Sequence, residues 1–121
     1  MNISLTVTQG WGASQTGRVR NRPATTSSYT VAGTVAADHI QTIGFATHEA
    51  IALTDAATHG FAEFVNLDTT NFVQIGVDDS GTFYPLVKLL AGQTCQLWLA
   101  AAPYAQADTG AVELACFVAE R

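Results

Sequence analysis

Between residues 60 and 118 the sequence is divided into five short runs of β-type residues, each closed by a turn signal. Residues 71–77, for example, place their apolar and polar side chains on alternate sides, as a half-buried strand does. Residues 78–81 (Asp-Asp-Ser-Gly) give a strong hairpin turn, because aspartates accept backbone donors and glycine tolerates positive φ. Short strands at this spacing predict an all-β protein, an antiparallel β-sandwich of jelly-roll-like type.

Alternation elsewhere in the chain predicts the remaining strands. They fall at residues 3–8, 29–31, 38–45, 49–53, 61–67, 83–90, 93–100 and 111–120. Pro85 cannot donate to a ladder, so its strand is expected at a sheet edge or bulged at that point. Residues 102–110 are read as a connection, and residues 54–59 as one turn of helix.

The N-terminal part of the chain has a different character. Residues 9–28 hold glycines and small polar side chains with little periodicity, which predicts an extended segment or a long loop. A loop of this length in a small domain is uncommon unless it has a function. The sequence is therefore divided into an N-terminal strand with an extended arm, residues 1–27, and a β-sandwich domain, residues 28–121.

Three of the five basic residues of the chain lie in this arm, as Arg18, Arg20 and Arg22. In an extended segment, alternate side chains project from one side. Three guanidinium groups on one side are able to clamp carboxylates of a partner protein. The alternative is a solvated basic segment that balances an acidic domain, and phosphate binding is a weaker third possibility.

Charged residues make up 12% of the chain, about half of the roughly 25% usual in globular domains, while alanine (20 residues) and threonine (16 residues) are abundant. So few charges indicate a surface that contacts other proteins, although a monomer with a threonine-rich β surface fits as well. The net charge of −5 argues against nucleic-acid binding by the whole domain. The first residues lack a signal peptide and no apolar run is long enough for a membrane span, so a soluble protein made in a cytoplasm is expected.

Two cysteines lie in the last two predicted runs. If these runs form a hairpin turning at Ala105-Gln106, Cys95 and Cys116 stand directly opposite each other, and a cross-strand disulfide is possible. The alternative is a pair of buried thiols that act as small hydrophobic side chains, which a reducing cytoplasm favours.

No arrangement of residues indicates catalysis or a cofactor. The histidines His39, His48 and His59 are nine and eleven positions apart, whereas zinc ligands usually occur in close pairs. The acidic turn at 78–81 lacks the alternation and the distal glutamate of a calcium loop. No nucleophile elbow, phosphate loop or dinucleotide fingerprint is present. We therefore expect no metal, no cofactor and no enzymatic activity.

Two aromatic residues are expected on the outer side of their strands. Trp98 lies between Leu97 and Leu99, and Phe117 between Cys116 and Val118, so each points away from the core if its neighbours face it. An outward aromatic is either buried in an interface or covered by the N-terminal segment. Trp98, Phe117 and Trp11 of the arm join the three arginines as candidate partner-binding residues.

Several of these segments resemble small virion proteins of tailed bacteriophages. Residues 64–76, with Asn-Leu-Asp-Thr-Thr-Asn leading into a strand, carry the resemblance first. The resemblance continues in three further segments: residues 80–89, the Leu-Ala-Gly-Gln turn at 90–93, and the ending at 105–118. In all, it covers about residues 28–119.

The resemblance implies a non-enzymatic β-sandwich protein of the virion, with no catalytic residues to carry over. The function it favours is a capsid decoration (cement) protein on the outer head surface, bound to the major capsid protein and forming a homo-oligomer, with a trimer favoured. A tail, head–tail connector or fibre-associated component is the alternative within the same class. From another class, a carbohydrate- or receptor-binding β module stays open, with Trp98 and Tyr104 as stacking residues.

Overall fold

A computed structural model of the protein describes residues 3–31, 36–53, 56 and 58–120. Every regular element within these residues is a β-strand. All strand pairs are antiparallel, so the predicted all-β antiparallel class is confirmed. The chain divides into two units, Met1–Thr34 and Val35–Arg121, and this division falls later in the chain than the predicted one after residue 27. The strands are β1 (Ile3–Gln15), β2 (Arg18–Val31), β3 (Ala36–Ile43), β4 (Glu49–Ala50), β5 (Phe61–Asn66), β6 (Val73–Asp79), β7 (Thr82–Leu89), β8 (Thr94–Trp98), β9 (Tyr104–Ala107) and β10 (Val112–Ala119).

The first unit is a two-stranded hairpin of β1 and β2, called the ribbon below. Its register runs from Ile3 opposite Val31 to a turn at Gly17, whose φ of 79° glycine adopts without steric cost. Leu5, Val7 and Val31 are buried at the base of the ribbon, whereas all residues from 8 to 30 are exposed, so the apolar alternation of a half-buried strand is confined to the first residues of β1. Residues 9–28, read as an extended segment or a long loop, are extended and paired with each other on either side of the turn at residues 16–17, so the long-loop alternative is wrong.

A bulge opposite Gly10 gives β2 one residue more than β1. Pro23 falls at this bulge, where the lack of a backbone N–H is tolerated. A Cβ at position 10 would lie 2.7 Å from Cα of Ala24, which is closer than real Cβ atoms approach. Glycine is therefore required for the two strands to pair past the bulge.

The second unit is a β-sandwich of two four-stranded sheets. Sheet I has the strand order β3-β10-β5-β8, and sheet II has the order β4-β9-β6-β7. The inner faces of both sheets contribute to one hydrophobic core, with Phe64 and Leu114 from sheet I and Val73 and Ile75 from sheet II among its buried members. The predicted β-sandwich is thus confirmed, while its jelly-roll variant stays a prediction.

The hairpin of β6 and β7 follows the sequence closely. Ser80 and Gly81 form its turn with φ of 52° and 90°, and the carboxylate of Asp78 accepts a hydrogen bond from the Gly81 backbone N–H at 3.3 Å. β7 lies at an edge of sheet II, and the register shifts where Pro85 lies opposite Gly76. Both expectations for Pro85, an edge strand and a bulge, are confirmed.

One strand lies where a connection was predicted. β9 occupies residues 104–107 and pairs with both β4 and β6 inside sheet II. Its inward side chains are Ala105 and Ala107, which are buried but too small to give a clear apolar alternation. The helical turn predicted at residues 54–59 lies in large part outside the described residues.

The predicted hairpin that places the two cysteines opposite each other is wrong. β8 and β10 both pair with β5, so Cys95 and Cys116 lie on either side of Phe64. Both cysteines are free, Cys116 within the core and Cys95 packed against it. The two thiols therefore act as small hydrophobic side chains. This was the alternative to a cross-strand disulfide, and the one favoured if the protein is made in a reducing cytoplasm.

Replacing Gly76 by alanine is expected to destabilise the sandwich by roughly 3 kcal/mol, because overpacking forces the backbone apart. A Cβ at this position would meet the carbonyl oxygen of Tyr84 and lie 2.8 Å from Cα of Pro85. Gly44→Ala is the matched control, since its Cβ would have 3.9 Å to the nearest atom. Urea denaturation of both variants measures the difference, and equal stabilities would contradict the close approach at the bulge.

Candidate functional site

The three arginines of the ribbon share one face with Trp11. Arg18 lies opposite Gln15, Arg20 opposite Ala13, and Arg22 opposite Trp11. Residues directly opposite in an antiparallel pair project from the same face, and so do alternate residues of one strand. These six residues are called the arginine face below. All six are exposed, and neighbouring arginine Cα atoms are about 6.6 Å apart, twice the rise of a strand.

Formal charge is divided sharply between the two units. Residues 1–34 carry Arg18, Arg20 and Arg22 and no acid, which gives +3. Residues 35–121 carry all ten acids against Lys88 and Arg121, which gives −8. Within the described part of the chain, none of the three ribbon arginines forms a salt bridge. The ribbon therefore presents three cations without an internal counter-charge.

Trp98 and Phe117, predicted to point outward, are brought together on the outer face of sheet I by a third aromatic residue. The Phe61 ring centroid lies 5.6 Å from that of Trp98, edge-on, and 6.4 Å from that of Phe117. Trp98 is 46% exposed, whereas Leu99 beside it is buried, as the alternation predicts. Phe61 was missed because its role depends on the pairing of β5 with β8 and β10.

The same outer face carries three carboxylates. Asp38 and Glu63 lie on either side of Phe117 in one row across β3, β10 and β5, and Glu113 lies further along β10. Glu63 accepts a hydrogen bond from the Gln96 side chain at 2.9 Å, and Glu113 accepts one from the Thr42 hydroxyl. The apolar Ile40, Ala115 and Val65 form the next row of this face. The two rows and Glu113 together are called the acidic face of sheet I below; its members are Asp38, Phe117, Glu63, Ile40, Ala115, Val65 and Glu113. No lysine or arginine lies in the four strands of sheet I.

Trp98 also lines a groove of about 220 Å³ between residues of β6, β7 and β8 and the segment that follows β8. The other lining residues are apolar as well, among them Leu86, Leu97 and Pro103. Small-molecule sites combine an apolar or aromatic lining with a few polar groups that fix the orientation of the ligand, and the described residues that line this groove offer no polar side chain beyond the Trp98 indole. Tyr104, the second stacking candidate, lies in sheet II, whereas Trp98 lies in sheet I, so the two side chains are not on the same sheet.

His48 forms the closest pairing of ionisable side chains on sheet II. Its Nε2 lies 2.6 Å from Oδ1 of Asp78, and both side chains are 21% exposed. The imidazole stacks on Phe83 with centroids 5.3 Å apart and meets the edge of Tyr104 at 5.9 Å. Catalytic His–Asp pairs act on a nucleophile held at the other ring nitrogen. No serine or cysteine of the described residues is hydrogen-bonded to His48, whose recorded contacts are with Asp78, Phe83 and Tyr104.

The segment that carries the resemblance to phage proteins is a structured turn. Asn66, fully buried, donates from Nδ2 to the carbonyl oxygens of Asn71 at 2.9 Å and Leu89 at 3.0 Å, and its Oδ1 accepts from the Asp68 N–H at 2.9 Å. Asp68 in turn accepts from the backbone N–H groups of Thr70 and Asn71. These two backbone hydrogen bonds, that of Asn71 first, lower the pKa of Asp68 below 3.8. The motif therefore positions the chain between β5 and β6.

Burial controls the chemistry of the two thiols. It raises the pKa of Cys116 to about 12 and also raises the pKa of Cys95, for which a backbone hydrogen bond from Phe64 acts in the opposite direction. The thiolate is the reactive form of cysteine, so both side chains are poor nucleophiles near neutral pH.

The comparisons with known proteins give no neighbour. Neither the protein-family models, nor the curated proteins, nor the solved structures match this chain in sequence or fold. Within residues 3–31, 36–53, 56 and 58–120, no three His, Cys, Asp or Glu side chains lie close enough to hold a metal ion. The same residues include no helix long and apolar enough to cross a membrane.

Changing Asp68 to asparagine is expected to remove part of the pH dependence of stability. Because the folded-state pKa lies below its ordinary value of 3.8, the carboxylate contributes its full stabilisation above that value and loses it as the pH falls through the folded pKa. Denaturation at several pH values should show the gap between wild type and variant closing in acid. Asp108→Asn is the control, since its carboxylate accepts no hydrogen bond from the described residues; a gap that does not vary with pH would contradict the argument.

Native protein is expected to react slowly with a disulfide-exchange reagent such as Ellman's, and both thiols should react at once in denaturant. Cys95 should react before Cys116, because it is half-buried rather than enclosed in the core. Peptide mass spectrometry of partly labelled protein identifies the order. Rapid labelling of Cys116 in the native state would show that the core opens easily.

Proposed function

We propose that this protein is a non-enzymatic structural component of a tailed-phage virion, most favourably a capsid decoration protein bound to the outer surface of the head. Two lines of argument support the proposal. The turn segments around Asn66 and Asp68 resemble those of phage virion proteins, and the chain is a small β-sandwich with an additional basic ribbon.

The observation that carries the proposal is the ribbon. Residues 8–30 are exposed on both faces, yet two strands alone are marginally stable in water. A segment of this kind gains stability when it lies on another protein. Trp11, 55% exposed, is the kind of aromatic side chain that is enriched in protein interfaces.

Modest contacts of this kind suit a decoration protein, because many copies act on one particle. Repetition over a shell makes weak individual contacts sufficient. A protein that binds the assembled shell and not its separated subunits stabilises the shell by linkage. The proposal includes the major capsid protein as partner and self-association of the decoration protein, with a trimer favoured.

Counting copies per particle tests the proposal. Quantitative mass spectrometry of virions purified from the phage that encodes this chain should give a copy number close to that of the major shell protein. A few copies per particle would replace decoration by the alternative, a tail, connector or fibre-associated component. Absence from the virion would overturn both structural functions and favour the carbohydrate- or receptor-binding module, against which the apolar groove at Trp98 already argues.

A further inference from the structure

The ribbon and the sandwich carry opposite charge, on an exposed face of the ribbon and on a face of sheet I where Asp38 and Glu113 are exposed and Glu63 is half-buried. The arginine face holds three cations and one exposed tryptophan, with no acid anywhere in residues 1–34. The acidic face of sheet I holds three carboxylates among apolar side chains, of which Ile40 is 61% exposed. In neither face does a described residue supply the opposite charge in a salt bridge.

We propose that the arginine face of one copy binds the acidic face of sheet I of a second copy. Guanidinium groups bind carboxylates with two parallel hydrogen bonds, so Asp38, Glu63 and Glu113 are suitable partners for the three arginines. Trp11 then covers the apolar row that includes Ile40 and Val65. Both kinds of contact, a charge pair and an aromatic side chain on an apolar surface, are typical of interfaces between proteins.

The spacing of Asp38 and Glu63 is compatible with contacts to two neighbouring arginines. Arg18, Arg20 and Arg22 follow each other at about 6.6 Å along β2. Asp38 and Glu63 are separated by two strand spacings, about 9.6 Å, across β10. The long arginine side chains are flexible enough to bridge a difference of about 3 Å.

A contact between a ribbon and a sheet joins two different surfaces; made reciprocally by two copies it closes a twofold dimer, and made in one direction from copy to copy it is heterologous. Heterologous contacts form a closed ring when the rotation between copies closes, as in a trimer. The second copy is favoured over another partner because the complementary charge is present in this same chain, at −8 against +3. The inference deepens the proposed function by naming the surfaces through which copies associate, and its test needs only the free protein and no particle.

The test is a charge exchange between the two faces, read by sedimentation equilibrium of the purified full-length protein. Wild type is expected to self-associate, more weakly as salt increases. A ribbon variant (Arg18→Glu, Arg20→Glu, Arg22→Glu) and a sheet variant (Asp38→Lys, Glu63→Lys, Glu113→Lys) should each lose self-association by about tenfold or more. Mixing the two variants should restore association between them, followed through a fluorescent label on one variant.

Two matched controls separate specific contact from general charge. Ser14→Glu, Val19→Glu and Asn21→Glu add acids to the opposite ribbon face, and Glu49→Lys, Asp79→Lys and Asp108→Lys remove acids outside sheet I. Both controls should retain the wild-type association to within a few-fold. Circular dichroism confirms that each variant is folded.

Three results would overturn the inference. One is a wild-type protein that stays monomeric up to about 100 μM at low salt. Another is a mixture of the two variants that does not associate. The third is loss of association in the controls to the same extent as in the two variants. Because copy number per virion is measured separately, failure here removes only self-association from the proposed function and leaves binding to the particle in place, and failure there leaves this contact in place.

Discussion

The mutual burial of two inner faces is the constraint on which the sandwich depends. Each sheet has one apolar face, and neither is stable until the other covers it. Phe64 is central to this arrangement, because its strand lies between the two strands that carry Cys95 and Cys116. Asn66 follows at the end of the same strand, and its side chain makes three hydrogen bonds while fully buried. A buried amide with all these bonds made fixes where β5 ends and how the chain enters β6.

Once the inner faces are used for stability, the outer faces and the ribbon are left for interaction. Their composition is unusual for surfaces that meet water alone. Sheet I has an aromatic group of Phe61, Trp98 and Phe117 beside three carboxylates, and the ribbon has cations without acids. A surface that carries few charges offers little electrostatic repulsion between copies of the protein. The separation of signs adds a direction to such contacts, because ribbon–ribbon and sheet–sheet encounters are repulsive while ribbon–sheet encounters are attractive.

The fold class was predictable from sequence because alternation and turn chemistry are local. The hairpin of β6 and β7 depends on Asp78, Ser80 and Gly81, which lie next to one another in the chain. The strand order was not predictable in the same way, since β10 pairs with β3 and β5, which are distant in sequence. Assuming that the last two strands form a hairpin led to the wrong placement of the cysteines. β9 was missed, and the pairing of residues 9–28 into a hairpin was not predicted, for a related reason: these stretches are rich in small and polar side chains, so no apolar pattern marks them as strands.

The candidate site was predictable in part. Alternation alone places Arg18, Arg20 and Arg22 on one side of an extended chain, but only the register of the hairpin adds Trp11 to that side. The net charge of −5 is the sum of +3 on one unit and −8 on the other, so it describes neither. An argument from whole-chain charge about which partners the protein accepts therefore applies to the sandwich and not to the ribbon. A polyanionic partner would be repelled by the sandwich at −8 and attracted by the ribbon at +3. A partner that carries carboxylates among apolar side chains complements the charge and the tryptophan of the ribbon, and it does not need to approach the acids of the sandwich. The outer face of sheet I on another copy is such a partner, and it is always present at the same concentration as the ribbon itself.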